Sequence, residues 1–219
     1  MISDNFKAIQ SQIPDHVCLV AVSKTKSSEL ILEAYQTGQR HFGENKVQEL
    51  VEKATLLPKD IHWHLIGHLQ TNKVKYIAEF VHLIHAVDSL KLLIEINKQA
   101  QKQNRIISCL LQFHIANEET KFGMNREAAE FLLSSESFIN LKNIQIVGVM
   151  GMASFVQNSS QIRDEFKVLK SIFDFLREKY FHSQISFKEI SMGMSGDFQL
   201  AIEEGSTLVR IGSSLFGSI

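Results

Sequence analysis

Short apolar runs alternate with helix-length amphipathic segments along nearly the whole of this sequence. The apolar runs have the length of buried strands and lie near 17–22, 40–43, 61–66, 82–86, 106–114, 144–149, 185–190 and 207–211. Helical patterns separate them near 28–37, 45–56, 70–80, 89–103, 125–136, 160–181 and 196–204. Repeated strand–helix units imply parallel strands, and eight such units are the number that closes a TIM-type barrel.

The alternative α/β fold, an open doubly wound sheet, lacks its usual signature here. The first strand runs into SKTKSS instead of a GxGxxG turn, and the chain has no GxxxxGK[ST] motif. No linker or low-complexity tract interrupts the alternation. We therefore predict a single (β/α)8 barrel domain over residues 1–219, with an extra helix in 1–16 over the N-terminal end of the barrel.

Composition excludes several classes of protein. The 219 residues carry a formal net charge of −1, which gives no electrostatic footprint for nucleic acid or an anionic membrane. The sequence has no run of about 18 apolar residues, the length needed to span a bilayer. The first residues lack the basic and apolar regions of a signal peptide. Cys18 and Cys109 lie in apolar runs and are predicted to be free buried thiols, so we expect a soluble cytoplasmic protein.

Lys24 follows the first predicted strand directly, within VCLVAVSKTKSS. Lysine is seldom fully buried, so this position alone is equally compatible with a side chain that bends out to water. In a barrel of this kind, however, the residues after each strand meet at one mouth, where active sites lie. Polar residues or glycines also lie at or just after the ends of the other predicted strands, namely Glu44, Asn45, His64, Gly67, His85, Asp88, His114, Ser154, Ser191 and Arg210.

The two loops after the last two strands predict a phosphate site. SMGMSGD leads from the seventh strand into a helix, and RIGSSLFG follows the eighth. Glycines, serine hydroxyls and a helix N-terminus together favour phosphate, and this is the usual phosphate position of the fold. Lys24 would face that site across the mouth, with Arg210 between them. A ligand with a phosphate at one end and an aldehyde at the other, pyridoxal 5′-phosphate, suits this layout.

The segments VAVSKTK, HFGENKVQEL, HWHLIGHLQTNKVKYI, HAVDS, TKFGM, GVMGMAS and SMGMSGDFQLAIEEGSTLVRIGSSLFG occur in this order along almost the entire chain. Together they resemble the pyridoxal-phosphate homeostasis proteins, single-domain relatives of the N-terminal barrel of alanine racemase. The resemblance implies that Lys24 holds the cofactor as a Schiff base. The other site residues that we expect around the cofactor are Asn45, His64, Met192, Ser195, Gly196, Arg210, Gly212 and Ser213.

Two positions depart from the pattern of that family. Lys46 stands where an aromatic residue or arginine is frequent, and His68 stands where proline is frequent. Neither position touches Lys24 or the phosphate loops, so the departures concern the rim of the pocket.

A metal-dependent barrel hydrolase is a rival hypothesis. His62 and His64 would share one face of a strand, and His85 and His114 lie near other strand ends. The eighth strand supplies Arg210 where such a site needs a carboxylate. We therefore expect no metal in the site. Lys26 is a second amine near Lys24, but a solvated surface charge is the simpler interpretation of this residue.

Racemisation needs acid–base groups on both faces of the substrate carbon. Alanine racemases resemble this barrel but take the second group, a tyrosine, from a further domain. The sequence stops at Ile219 after the eighth unit, so we expect that domain to be absent. The resemblance thus implies a non-catalytic pyridoxal-phosphate carrier in vitamin B6 and amino-acid homeostasis, expected as a monomer, with apo-enzymes as possible recipients. A weak racemase or lyase is the alternative.

Overall fold

Eight parallel strands close into a barrel in which each strand pairs with its neighbours in sequence order. The computed structural model describes residues 2–117 and 122–217. The strands are β1 (Cys18–Val22), β2 (His41–Glu44), β3 (His62–Leu65), β4 (Leu83–Val87), β5 (Ile107–Gln112), β6 (Ile144–Met150), β7 (Glu189–Ser191) and β8 (Leu208–Ile211). The predicted fold class is confirmed, and all eight predicted strands are present, although β7 covers only Glu189–Ser191 where the sequence predicted 185–190. Thr120 and Lys121 of the TKFGM segment lie outside the described residues.

Helices occupy the outside of the barrel. They are α1 (Ile2–Gln10), α2 (Ser28–Gln36), α3 (Val47–Leu56), α4 (Leu90–Lys102), α5 (Arg126–Leu133), α6 (Glu136–Ile139), α7 (Ser159–Lys179), α8 (Phe198–Glu203) and α9 (Ser213–Phe216). Two of the predicted helices differ in form. A 3₁₀ helix over Thr71–Tyr76 replaces the segment predicted at 70–80, and the helix predicted at 125–136 gives way to α5 and α6.

The barrel separates two apolar cores. The larger lies between the strands and the helices, where α7 buries Ile162, Phe166, Leu169, Phe173 and Leu176 among other residues. The smaller lies inside the barrel and consists of Val20, Leu83, Ala86, Leu110, Val147, Met150 and Leu208. Because side chains alternate along a strand, inward and outward residues of the same strand belong to different cores.

The N-terminal helix α1 forms as predicted, but its position differs from the prediction. Phe6 is fully buried, and its ring meets Phe216 of α9 edge to face at 5.8 Å. Asn5 Nδ2 donates a hydrogen bond to the Leu215 carbonyl at 3.1 Å. The expectation that this helix covers the N-terminal end of the barrel is therefore wrong, because its apolar face packs beside the barrel against α9.

Within residues 2–117 and 122–217, no helix has both the length and the apolar character needed to cross a bilayer. Both cysteines are free thiols: Cys109 is buried and Cys18 is partly exposed. Burial, with a smaller contribution from Glu189, raises the pKa of Cys18 to about 12, so this thiol stays protonated at neutral pH.

Candidate functional site

A cavity of about 810 Å³ opens at the carboxyl ends of the strands. Residues from loops far apart in the sequence form its wall, as the barrel topology predicts. The predicted site residues that line it are Lys24, Asn45, Ser195, Gly196, Arg210, Gly212 and Ser213. Ile66, Gly67 and Met152 are among the other residues of its wall.

A buried polar cluster supports the turn that carries Lys24. Ser23 Oγ donates to Glu44 Oε1 at 2.6 Å, and Lys53 Nζ donates to the same oxygen at 2.7 Å. Lys53 also donates to the Ser23 carbonyl at 2.8 Å, which fixes the backbone directly before Lys24. Burial raises the pKa of Glu44, and the hydrogen bond from Lys53 opposes that effect. The sequence suggested nothing about Lys53, which is an interior residue of α3.

The two glycine–serine loops after β7 and β8 contact each other. The Gly212 amide donates to Ser195 Oγ at 3.2 Å, and the Arg210 amide donates to the Gly193 carbonyl at 2.9 Å. Gly193 has φ +94°, a left-handed conformation that side chains rarely adopt, and an added Cβ would lie 2.6 Å from Ala201 Cβ. The glycine therefore allows the first loop to pack on α8 while it turns toward the second.

Arg210 lies in the wall between these loops and Lys24. It is 4% exposed, Nη1 donates to Ser191 Oγ at 2.5 Å, and Nη2 donates to the Gly151 carbonyl at 3.1 Å. Burial lowers the pKa of Arg210 to about 10, an effect that Asp197 partly offsets. The guanidinium is thus still a cation at neutral pH, and its position is fixed by two hydrogen bonds.

A chain of hydrogen bonds leads from Arg210 through the barrel interior. Ser191 Oγ lies 2.9 Å from His85 Nδ1, and His85 Nε2 lies 2.8 Å from His64 Nδ1. His64 Nε2 continues to His41 Nδ1 at 2.9 Å. Burial holds the pKa of His64 and of His85 well below the usual value, so both rings are neutral. We call these linked side chains the histidine chain.

Two of the predicted cofactor residues, His64 and Met192, are not among the residues that line the cavity. His64 lies below the mouth, in the histidine chain, because its side chain faces the barrel interior. Met192 is fully buried in the outer core, since the preceding Ser191 faces inward and side chains alternate. This signal was available in the sequence: if Ser191 faces the barrel interior, the next residue, Met192, must face outward.

The rival metal hypothesis is not supported by the positions of its residues. Among the described residues, none of His62, His64, His85 and His114 lines the cavity. His68 does line it and stacks on Phe122 with ring centroids 5.2 Å apart at the rim. Phe155, 94% exposed, extends the same rim.

Fold and site together define a barrel with a lysine after its first strand, a buried arginine in its last strand, and paired glycine–serine loops beside them. The family model described as alanine racemase, N-terminal domain, matches residues 1–219. A pyridoxal phosphate homeostasis protein of Aquifex aeolicus is 41% identical over 200 residues, 91% of this chain and 86% of that protein. The human protein of the same name is 40% identical and covers 91% of this chain and 75% of its own length.

Solved structures agree with these relatives. PipY of Synechococcus elongatus, solved without PLP and with PLP bound, is 35% identical, with TM-scores of 0.91 and 0.89. Each match covers 99% of this chain and 100% of PipY. Alanine racemase of Bartonella henselae, 16% identical with a TM-score of 0.74, shares the fold; the match covers 58% of that enzyme. The chain belongs to the alanine racemase N-terminal domain family and, within it, to the pyridoxal phosphate homeostasis proteins.

Proposed function

We propose that this protein binds pyridoxal 5′-phosphate on Lys24 and holds it for vitamin B6 and amino-acid homeostasis without turnover of its own. The observation that carries the proposal is the meeting of Lys24, Arg210 and the two glycine–serine loops around one cavity. The PLP-bound structure of PipY, a relative at 35% identity, supports the choice of ligand.

The donors around the cavity suit the two ends of such a ligand. Ser195, Gly196, Gly212 and Ser213 would hold the phosphate with backbone amides and hydroxyls. Lys24 would hold the aldehyde carbon as a Schiff base, whose formation releases water. When bound, the cofactor supplies an electrophilic carbonyl and an electron-withdrawing ring.

Two features favour holding over catalysis. Arg210 is a fixed cation in the wall and would disfavour a protonated ring nitrogen beside it, which weakens the electron sink. The second feature is the lack of a tyrosine in the wall: Tyr35, Tyr76 and Tyr180 all lie away from the cavity in the described structure. Racemisation would need a second acid–base group opposite Lys24.

The absorption spectrum of the full-length protein tests the binding proposal. We expect a visible band that borohydride bleaches, with the reduced adduct located on Lys24 by peptide mass. Lys24→Ala should lose the band. Lys26→Ala is the matched control, because Lys26 Nζ donates to the Gly217 carbonyl at 3.1 Å and does not line the cavity. A band retained in Lys24→Ala, or an adduct on Lys26, contradicts the proposal.

Solvent exchange distinguishes a carrier from the alternative, a weak racemase or lyase. We expect amino acids incubated with the loaded protein in deuterated water to keep their α-protons. Exchange that disappears in Lys24→Ala would instead establish an enzyme. We also propose that the protein is a cytoplasmic monomer and that it delivers the cofactor to apo-enzymes. Cofactor transfer to a purified apo-enzyme that is faster than spontaneous release would support the delivery role.

A further inference from the structure

Three histidines meet at the N-terminal mouth of the barrel, the end opposite to Lys24. His41 begins β2, His62 begins β3, and His82 directly precedes β4. One ring nitrogen from each lies within 4.8 Å of the other two. The rings of His62 and His82 stack with centroids 4.4 Å apart, and His41 meets His62 edge to face at 4.6 Å. We call this group the histidine triad.

We propose that the histidine triad binds a divalent transition metal ion, with Zn²⁺ as the reference ion. Neutral imidazole is a favoured ligand of zinc, copper and nickel. Two nitrogens on one tetrahedral zinc, each at about 2.0–2.1 Å, lie roughly 3.3 Å apart. His41 Nε2 and His62 Nδ1 are already 3.2 Å apart, so one edge of the coordination polyhedron is present.

The third ligand needs only a side-chain adjustment. His62 and His82 are both exposed, so their rings can rotate toward a common centre without disturbing the core. His41, the inner member of the triad, is partly buried.

The residue behind His41 provides the usual support for a metal ligand. His41 Nδ1 forms a hydrogen bond of 2.9 Å with His64 Nε2. A metal-bound histidine commonly donates its other ring N–H to such a partner, which orients the ring. With the proton on Nδ1, His41 Nε2 has its lone pair directed at the triad.

A second cavity, of about 500 Å³, adjoins two of the three members of the triad. His41 and His82 line it together with Cys18 and Glu189. The Glu189 carboxylate accepts a hydrogen bond from Thr207 Oγ1 at 2.6 Å, which holds it on the cavity wall. Three protein ligands and an open position for water is the pattern of an accessible zinc site.

Zinc titration of the full-length protein in competition with a chromophoric chelator tests the proposal. The protein must lack a polyhistidine tag. We expect one zinc per chain, and at least about tenfold weaker binding in His62→Ala and in His82→Ala, since even loss of a supporting residue commonly costs that much. His182→Ala is the matched control, an exposed histidine outside the triad that should bind zinc like the wild type.

Thermal unfolding supplies a second readout. Because a ligand that binds only the folded state raises stability, zinc should raise the melting temperature of the wild type and of His182→Ala. At the same zinc concentration, it should raise those of the two triad variants less. Circular dichroism without metal checks that these variants fold. Wild-type zinc affinity in folded His62→Ala and His82→Ala, or no competition with the chelator by the wild type, would overturn the proposal.

Discussion

Gly67 lies where two loops of the Lys24 cavity touch each other. A Cβ at this position would be 2.4 Å from the Asn45 carbonyl oxygen, an atom of the backbone that cannot rotate away. Gly196, in the same cavity wall, has no atom within 4 Å of the corresponding point and no positive φ. Two glycines of one site therefore have different structural importance.

Gly67→Ala should lower the free energy of unfolding by about 1–3 kcal/mol, the cost of forcing an atom into a packed region. Gly196→Ala should change it by less than about 0.5 kcal/mol. Urea unfolding followed by circular dichroism measures both. Equal effects of the two substitutions would show that the Asn45 loop moves freely.

Single residues also show what the sequence could and could not predict about the site. Lys24 and Arg210 could be predicted because a barrel directs the residues at the ends of its buried strands toward one mouth, where a charged side chain can meet a ligand. The sequence could not show that His64 and Met192 lie outside the cavity wall, because a position near a strand end does not give the direction of the side chain. That direction depends on which neighbour faces inward, and hence on the register of the barrel.

At the scale of elements, a buried ion pair joins β2, α3 and the turn after β1. Glu44 and Lys53 are both buried, and Glu44 Oε2 has no hydrogen-bond partner among the described residues. The pair also fixes Ser23.

Lys53→Met should cost about 3–5 kcal/mol of unfolding free energy, because it leaves a carboxylate buried without its partner. The double variant Lys53→Met/Glu44→Gln should recover a large part of this loss, since no buried charge remains. Denaturant unfolding of both variants and of Glu44→Gln gives the coupling. Strictly additive effects would contradict the inferred pairing.

Glu165 of α7 connects two loops of the cavity end. Its carboxylate accepts hydrogen bonds from the Ser154 amide at 2.6 Å, the Ser154 hydroxyl at 2.7 Å and the Asn117 amide at 3.2 Å. Burial raises the pKa of Glu165, but these bonds and one from Gln161 outweigh it, so the pKa lies below the usual 4.5.

This lowered pKa predicts a pH dependence of stability. Because the folded pKa lies below the unfolded one, the carboxylate stabilises the protein above about pH 4.5, and the contribution is lost as the pH falls through the folded pKa. Glu165→Gln should cost on the order of 2 kcal/mol at pH 7, and the difference from the wild type should shrink toward pH 4. Urea unfolding at several pH values measures it. A difference that grows on acidification would refute the assignment.

Among the elements, apolar periodicity was enough to predict the eight strands and the long helix α7. It could not distinguish α-helix from 3₁₀ helix over Thr71–Tyr76, because a short stretch of apolar spacing fits both geometries. It also could not place α1, whose partner α9 is a four-residue helix at the far end of the chain. Contacts between distant segments leave no periodic signal.

At the scale of the whole molecule, α1 packs against the helix that follows the second glycine–serine loop. Phe6 packs on Phe216 of α9, and α9 begins at Ser213, which lines the Lys24 cavity. The geometry of that loop thus depends on a helix of which no described residue lines the cavity.

Phe6→Ala should lower the free energy of unfolding by about 3–5 kcal/mol, the cost of removing a fully buried aromatic side chain. It should also speed the release of pyridoxal phosphate from loaded protein. Phe131→Ala is the control, since that ring is 80% exposed and its loss should change neither property. The dissociation rate is followed by the visible band. If the release rate of Phe6→Ala equals that of the wild type, α1 does not influence the loop that lines the cavity.

The histidine chain gives the barrel interior a direction. A guanidinium can only donate hydrogen bonds, so Ser191 Oγ accepts from Arg210. The Ser191 hydroxyl can then donate to His85 Nδ1. With Ser191 as the donor, a proton would lie on Nε2 of His85, His64 and His41 in turn. Zinc on His41 Nε2 would require every bond from Ser191 to His41 to reverse. The two mouths of the barrel are thus linked by the orientation of a single row of protons.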